Sequence, residues 1–212
     1  MSSTLLEPEA TTPVTTPSEV VDDQPSPYLW TPAQYRQMAE AAILAEGEKV
    51  ELIEGVIVSK MTGSPAHDVT LHLILSKLQK GIPDPWIVRC QTAIITEDSE
   101  PEPDLAIVAG PQERYWERHP LAENVAMVIE VAHSSLAFDR RKSCLYARGG
   151  VPIYWIVNVA ERQLEVFSEP DTANGVYLRQ EMLTEEKLVQ FSIAGETFGP
   201  LPVRDFLLPV RM

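Results

Sequence analysis

From Val125 to Val131 the chain reads VAMVIEV, a core-type strand interrupted once, by Glu130. A carboxylate among Val, Met and Ile cannot keep its hydration, and such groups are rarely buried without a partner. Any fold of this chain must therefore give that group a partner. A second acid, Asp104, follows Pro103 and opens another apolar run, Leu105 to Val108. If the two strands pair antiparallel through the loop 110 to 124, the start of the first lies beside the end of the second. Two carboxylates then meet at one sheet edge, where they repel each other unless something cationic sits between them. A divalent metal would do so. Magnesium suits hard oxygen donors, is commonly held by one or two carboxylates and keeps waters for a phosphate to displace. Lys142, two turns into the helix that follows the Glu130 strand, is the candidate cation to assist an attacking water. The bland alternatives are a turn-forming aspartate at 104, an ordinary ion pair at Glu130 with Lys142 or an arginine, and a solvated helix face for Arg140-Arg141-Lys142.

The rest of the chain sorts into short elements. Residues 1–27 hold five prolines, five acids, no Lys or Arg and no aromatic side chain, a mixture that cannot offset its ordering entropy; a disordered tail is expected there, with one domain over 28–212. Thr31-Pro32 starts a helix whose stripe of Tyr35, Met38 and Ala42 runs up to Gly47. Val50 to Glu54 and Val56 to Val58 alternate around Gly55 as a strand pair or a bulged strand. Pro65-Ala66-His67 leads into a helix carrying Leu71, Leu75 and Leu78, stopped at Gly81. Strands are expected over Trp86 to Ile95, Leu105 to Val108, Val125 to Val131, Ile153 to Val159 and Gln163 to Ser168. Leu136 to Arg148 is a helix capped by Ser134 or Ser135 and closed by Gly149-Gly150. Residues 171–212 read as short strands and Pro-rich connections, with 200–210 laid along the core. This order predicts an α/β or α+β domain with one mixed central sheet flanked by helices.

Composition excludes several classes. No apolar stretch approaches the ~20 residues of a membrane-spanning helix, and the N-terminus resembles neither a secretory signal nor a basic transit peptide. A reducing cytosol is the expected address. Cys90 and Cys144 are too few for a disulfide scaffold and too far apart for a ligand pair, and are expected to be small buried hydrophobes. The net charge is −14, and beyond the tail 26 acids still face 17 bases. A general nucleic-acid coat is thereby excluded, because such proteins draw their affinity from Lys and Arg. A role on nucleic acid must rest on a local site.

The runs EPDLAIV and VIEVAHSSLAFDRRKSCLYARGGVPIYWIVNV resemble the Uma-type family of restriction endonucleases, within the PD-(D/E)XK nuclease superfamily. Pro103-Asp104, Glu130-Val131, Ser134-Ser135-Leu136, Asp139-Arg140, Lys142, Tyr146-Ala147, Gly150-Val151 and Tyr154-Trp155 follow the family's order over roughly 28–210. Glu51 to Gly55 and His67 match its N-terminal signatures. The resemblance implies a restriction-endonuclease-like core and Mg-dependent hydrolysis of DNA, with Mn as a substitute. Asp104 and Glu130 would be the metal-binding acids, the Val131 carbonyl a further ligand and Glu51 an additional acid. The superfamily's Glu-X-Lys would place lysine at 132, where this chain has Ala132; the lysine of many Uma-type sequences lies in the following helix, which selects Lys142.

Several neighbours stay open. Gln91 could face the site, Asp139 could cap or salt-bridge its helix, and His67 could cap a turn or contact phosphate. His133 is placed to act as a base, though hydrolysis does not require it. Glu51 and Glu54 point in different directions on a strand, so one of them faces the metal. Tyr154-Trp155 packs the core. Arg140, Arg141, Arg148, Lys77 and Lys80 are the candidate phosphate contacts, a modest set that a homodimer would double. The rival to a weakly DNA-binding enzyme is a catalytically silent nuclease fold serving as an interaction module, motivated by Ala132 and the acidic surface.

Overall fold

The computed structural model describes residues 25–209 except Glu46 and Thr62, so the expected disordered tail lies, up to residue 24, outside the described residues. Six strands form one mixed sheet in the order β3-β4-β5-β6-β7-β8: β3 (Trp86–Cys90), β4 (Leu105–Ala109), β5 (Val125–Ala132), β6 (Ile153–Asn158), β7 (Gln163–Asp171) and β8 (Val176–Thr184). Only β5 and β6 are parallel, and the helix α3 (Leu136–Arg148) supplies the crossover that a parallel pair needs. Every residue of β5 and of β6 is buried. They are the floor on which both layers rest.

One face of the sheet is covered by α2 (Pro65–Gly81), through Leu71, Ile74 and Leu78, and by the hairpin β9 (Leu188–Ile193) and β10 (Glu196–Pro202). Trp155 is the centre of that layer, with the Phe191 and Phe206 rings edge-on at 5.2 and 5.7 Å. Phe206 and Leu207 lie along the core as the sequence suggests; residues 210–212 are outside the described set. The other face is covered by α3, where Tyr146, Tyr154 and Phe167 pack together. Among the described residues no helix is long and apolar enough to cross a membrane.

A separate hairpin, β1 (Val50–Ile53) and β2 (Val56–Ser59), reaches over the end of the sheet. Its two-residue turn, Glu54-Gly55, has φ of 49° and 76°, the doubly left-handed geometry that matches strand twist. Leu52 is fully buried, and the hairpin is tied down by Glu100 N–H donating to Leu52 O and Gly55 N–H donating to Asp98 O, both at 2.8 Å.

Three expectations need correction. Helix α1 (Pro32–Glu40) stops well before Gly47: Ala42 is left-handed, and Ile43 is 71% exposed, so no apolar face rewards another turn. Strand β3 ends at Cys90 instead of Ile95, because Gln91 turns left-handed (φ 47°) and Ile94 bonds Pro101 instead of a strand. Cys90 and Cys144 are free and half-buried, not buried.

Gly55 carries the hairpin turn, and a Cβ there would stand 2.7 Å from Leu29 Cβ. The left-handed backbone alone costs a non-glycine residue about 1–2 kcal/mol, and a domain of this size loses about 2–4 °C per kcal/mol. Gly55→Ala is expected to lower Tm by about 4 °C or more in thermal unfolding; a change under about 1 °C would contradict the close packing.

Candidate active site

The antiparallel register of β4 and β5 pairs Leu105 with Ile129, which puts Asp104 at the entrance of one strand beside Glu130 near the exit of the other. The two acids interlock through the backbone. Asp104 N–H donates to Glu130 Oε2 at 3.2 Å, and Val131 N–H donates to Asp104 Oδ2 at 2.8 Å. From α3, Lys142 Nζ reaches Glu130 Oε1 and Glu51 Oε1, each at 3.2 Å, and Tyr146 Oη donates to Glu130 Oε1 at 3.0 Å. The hairpin delivers Glu51, whose Oε2 accepts from Glu102 N–H at 3.1 Å. From the first turn of α2, His67 Nε2 stands 3.0 Å from Asp104 Oδ2. Five separate segments thus converge on one cleft, and Glu51, Glu130 and Lys142 are each no more than 5% exposed.

Burial sets the electrostatics. Glu130 is pushed up to about 8, foremost by desolvation, with Asp104 adding to the shift and Lys142 opposing it. Asp139, also in the cleft, is raised to about 6 by burial, although it accepts a 2.6 Å hydrogen bond from Ser135 Oγ. Burial works against ionised Asp104 as well, but the His67 hydrogen bond, the Val131 amide and Lys142 together hold it below the ordinary carboxylate value. His67 is raised to about 9, first by its bond to Asp104, against burial. Its other ring nitrogen lies 3.1 Å from Asp68 Oδ1. With a carboxylate oxygen beside each ring nitrogen, both nitrogens act as donors and the ring is held as an imidazolium. Lys142 is likewise held charged: desolvation is outweighed by Glu130, Glu51 and Asp139.

The lining charges do not balance. Near neutral pH, with Glu130 largely protonated, Glu51, Glu102, Asp104 and Asp139 face Lys60, Lys142 and the His67 imidazolium, leaving one negative charge without a cationic partner, and a second when Glu130 ionises. Among the described residues, no three His, Cys, Asp or Glu side chains form a ready-made metal cage. What the cleft offers is narrower: two adjoining carboxylates, Asp104 and Glu130, next to the Val131 backbone. That set of hard oxygens and its charge deficit fit a small divalent cation that keeps most of its waters.

Other candidates are placed as follows. Glu54 sits in the exposed turn and pairs with Arg148 at 2.6 Å, so Glu51 is the hairpin acid in the cleft. Gln91 lines the cleft from the left-handed bend, and His133 lies exposed on the rim. Contrary to the capping expectation, His67 lies inside α2, where Ser64 is the cap. Asp139 bonds the Ser135 hydroxyl instead of an ion-pair partner. Tyr154 and Trp155 are core residues, with Tyr154 Oη donating to Asp139 O at 2.9 Å. None of the five candidate phosphate contacts lines the cleft. Arg140 neutralises fully buried Glu165, Arg148 holds Glu54 and Asp98, Lys77 pairs with Asp205, and Arg141 lies over the Phe138 ring. A buried carboxylate such as Glu165 requires its cation, which commits Arg140 to structure, whereas the Arg148 and Lys77 pairs are largely exposed. Tyr146 is a site residue that residue-type reasoning passed over, and Asp139 one that it read as a helix cap or ion-pair partner, yet Asp139, Lys142 and Tyr146 recur at i, i+3 and i+7, one helix face.

A family model, Uma2, described as "Putative restriction endonuclease", matches residues 32–201. Among solved structures, the chain is similar to the crystal structure of "a putative nuclease belonging to DUF820" from Anabaena variabilis, at 18% sequence identity and a TM-score of 0.61, covering 80% of this chain and 96% of that one. At that identity the likeness concerns the fold. No curated protein matches the chain.

Neutralising Asp139 separates repulsion from architecture, since an asparagine oxygen can still accept from Ser135. Between pH about 4 and 6 the unfolded chain loses the Asp139 proton while the folded state keeps it, so wild-type stability is lost as pH rises through that window. Asp139→Asn in chelator is expected to unfold with wild type near pH 4 and to be more stable by on the order of 2 kcal/mol at pH 8, about 4–8 °C in Tm. A lower Tm at pH 8 would contradict the charge crowding.

Proposed function

Because the chain belongs to the Uma2 family of restriction-endonuclease-type proteins, we propose that this cleft hydrolyses DNA phosphodiester bonds as a magnesium-dependent endonuclease. The observation that carries the proposal is the pairing of Asp104 and Glu130 at the end of two central strands with Lys142 Nζ 3.2 Å from Glu130. Asp104, Glu130 and the Val131 carbonyl would hold the ion. Bound there, Mg2+, or Mn2+ in its place, would polarise a phosphoryl oxygen and lower the pKa of the attacking water.

The chain's own groups then have distinct tasks. Lys142, kept as an ammonium by its acidic neighbours, donates hydrogen bonds; it orients the water and stabilises charge on the phosphoryl oxygens, and is not the group that takes the proton. Glu51 holds that ammonium from the hairpin side, at 3.2 Å. Tyr146 fixes Glu130 from beneath. On this reading the lysine function lies at position 142, on a helix, which is consistent with Ala132 standing where the superfamily usually has lysine.

DNA as partner follows from the family and not from the surface charge. With −14 overall and several arginines committed to structural pairs, binding is expected to be weak and confined to the cleft. A homodimer would bring two clefts to one duplex and is part of the proposal.

The test is nicking of supercoiled plasmid with Mn2+ or Mg2+. Wild type is expected to nick, Asp104→Asn to lose the activity, and Lys142→Ala to fall by roughly 100-fold or more, the usual effect of removing one transition-state donor. Absence of nicking by wild type with either ion would contradict the proposal and favour an interaction module built on the same fold.

A further inference from the structure

The four oxygens of Asp104 and Glu130 are unequally committed. Glu130 Oε1 accepts from Lys142 and Tyr146, and Glu130 Oε2 from the Asp104 amide. Asp104 Oδ2 accepts from Val131 N–H at 2.8 Å and faces His67 Nε2 at 3.0 Å. Among the described residues no hydrogen bond engages Asp104 Oδ1. The Val131 amide by itself is one donor and leaves the carboxylate free to swing about its Cβ–Cγ bond. A second donor on the same oxygen, arriving from another element, fixes the plane.

His67 is built for that task. It is the third residue of α2, its own amide donating to the cap residue Ser64 Oγ at 3.2 Å, while Asp68 holds the far ring nitrogen at 3.1 Å. The preceding loop closes tightly around the ring: a Cβ at Gly63 would meet His67 Nδ1 at 2.7 Å and Asp68 Oδ1 at 2.6 Å. The imidazole therefore has little room to turn, and α2 in turn is anchored in the core by Leu71, Ile74 and Leu78.

Building on the nuclease reading, we infer that His67 is a positioning residue which pins Asp104 through Oδ2 and so presents Oδ1 to the ion. A carboxylate already held in one orientation binds without first being ordered, and outer partners of metal ligands are typically worth 10–100-fold in metal affinity. His67 does not touch the scissile bond; its effect is transmitted through Asp104.

The experiment is titration of the full chain with Mn2+ alone, by calorimetry, with Tm recorded for each variant. His67→Leu fills the ring's space without a donor, and His67→Gln keeps an amide donor. His67→Leu is expected to weaken Mn2+ binding by about 10-fold or more, and His67→Gln to recover most of it. His67→Ala provides the same comparison if leucine prevents folding. Wild-type binding that folded Leu or Ala variants match within about twofold, whatever their Tm, would overturn the positioning role alone. No Mn2+ binding by wild type would overturn the nuclease reading and this role with it.

Discussion

The structure depends on how Glu130 is taken out of water. It sits near the end of a strand buried along its whole length, and among the described residues its one cationic contact is the Lys142 ammonium, itself 5% exposed. Removing one member of such a pair would strand the other charge, which makes each element that contributes to the pair indispensable. The parallel pairing of β5 and β6 demands the α3 crossover. That crossover brings Lys142 and Tyr146 back over Glu130. Glu51 completes the ammonium's coordination, and so the hairpin must close over the sheet end, which explains why its turn and tethers are as tight as they are. Stability and site geometry are set by the same contacts.

An acidic protein acting on a polyanion is less contradictory than net charge suggests. Long-range attraction is a matter of the whole charge distribution, whereas chemistry at a phosphodiester needs positive charge only where charge develops. Several of the cationic side chains show the contrast. Arg140, Arg148, Arg162 and Lys77 each neutralise a nearby carboxylate away from the cleft. Lys142 and His67 stand inside the cleft among more carboxylates than they can balance. The burial that holds Glu130 protonated up to about pH 8 is what a divalent ion would offset, by favouring its ionised form.

Much of this was legible in the residues, and the boundary is physical. The Asp104–Glu130 meeting follows from two apolar runs and antiparallel pairing, and the limits of α3 follow from its serines and paired glycines. Lys142 was legible as a residue two turns into a helix that starts where its strand ends. Glu51 came from family resemblance, since nothing in VELIEG says which acid faces inward. His67 meets Asp104 across 37 positions, a tertiary contact that no local pattern encodes. Arg140 is not legible as the partner of an internal acid, because a charge run looks solvated until its partner is known to be buried, as Glu165 is. The break after Cys90 is hidden for a similar reason: Trp86 to Ile95 is apolar enough to continue as a strand, and the left-handed step at Gln91 has no glycine to announce it.

The central claim, that a divalent ion balances Asp104 and Glu130, is tested most directly by anomalous scattering from crystals soaked in Mn2+. A peak is expected between the two carboxylates, within coordinating distance of Asp104 Oδ1 and the Val131 carbonyl. A map with no peak there, or with Mn2+ bound only elsewhere while Lys142 alone neutralises the pair, would contradict it.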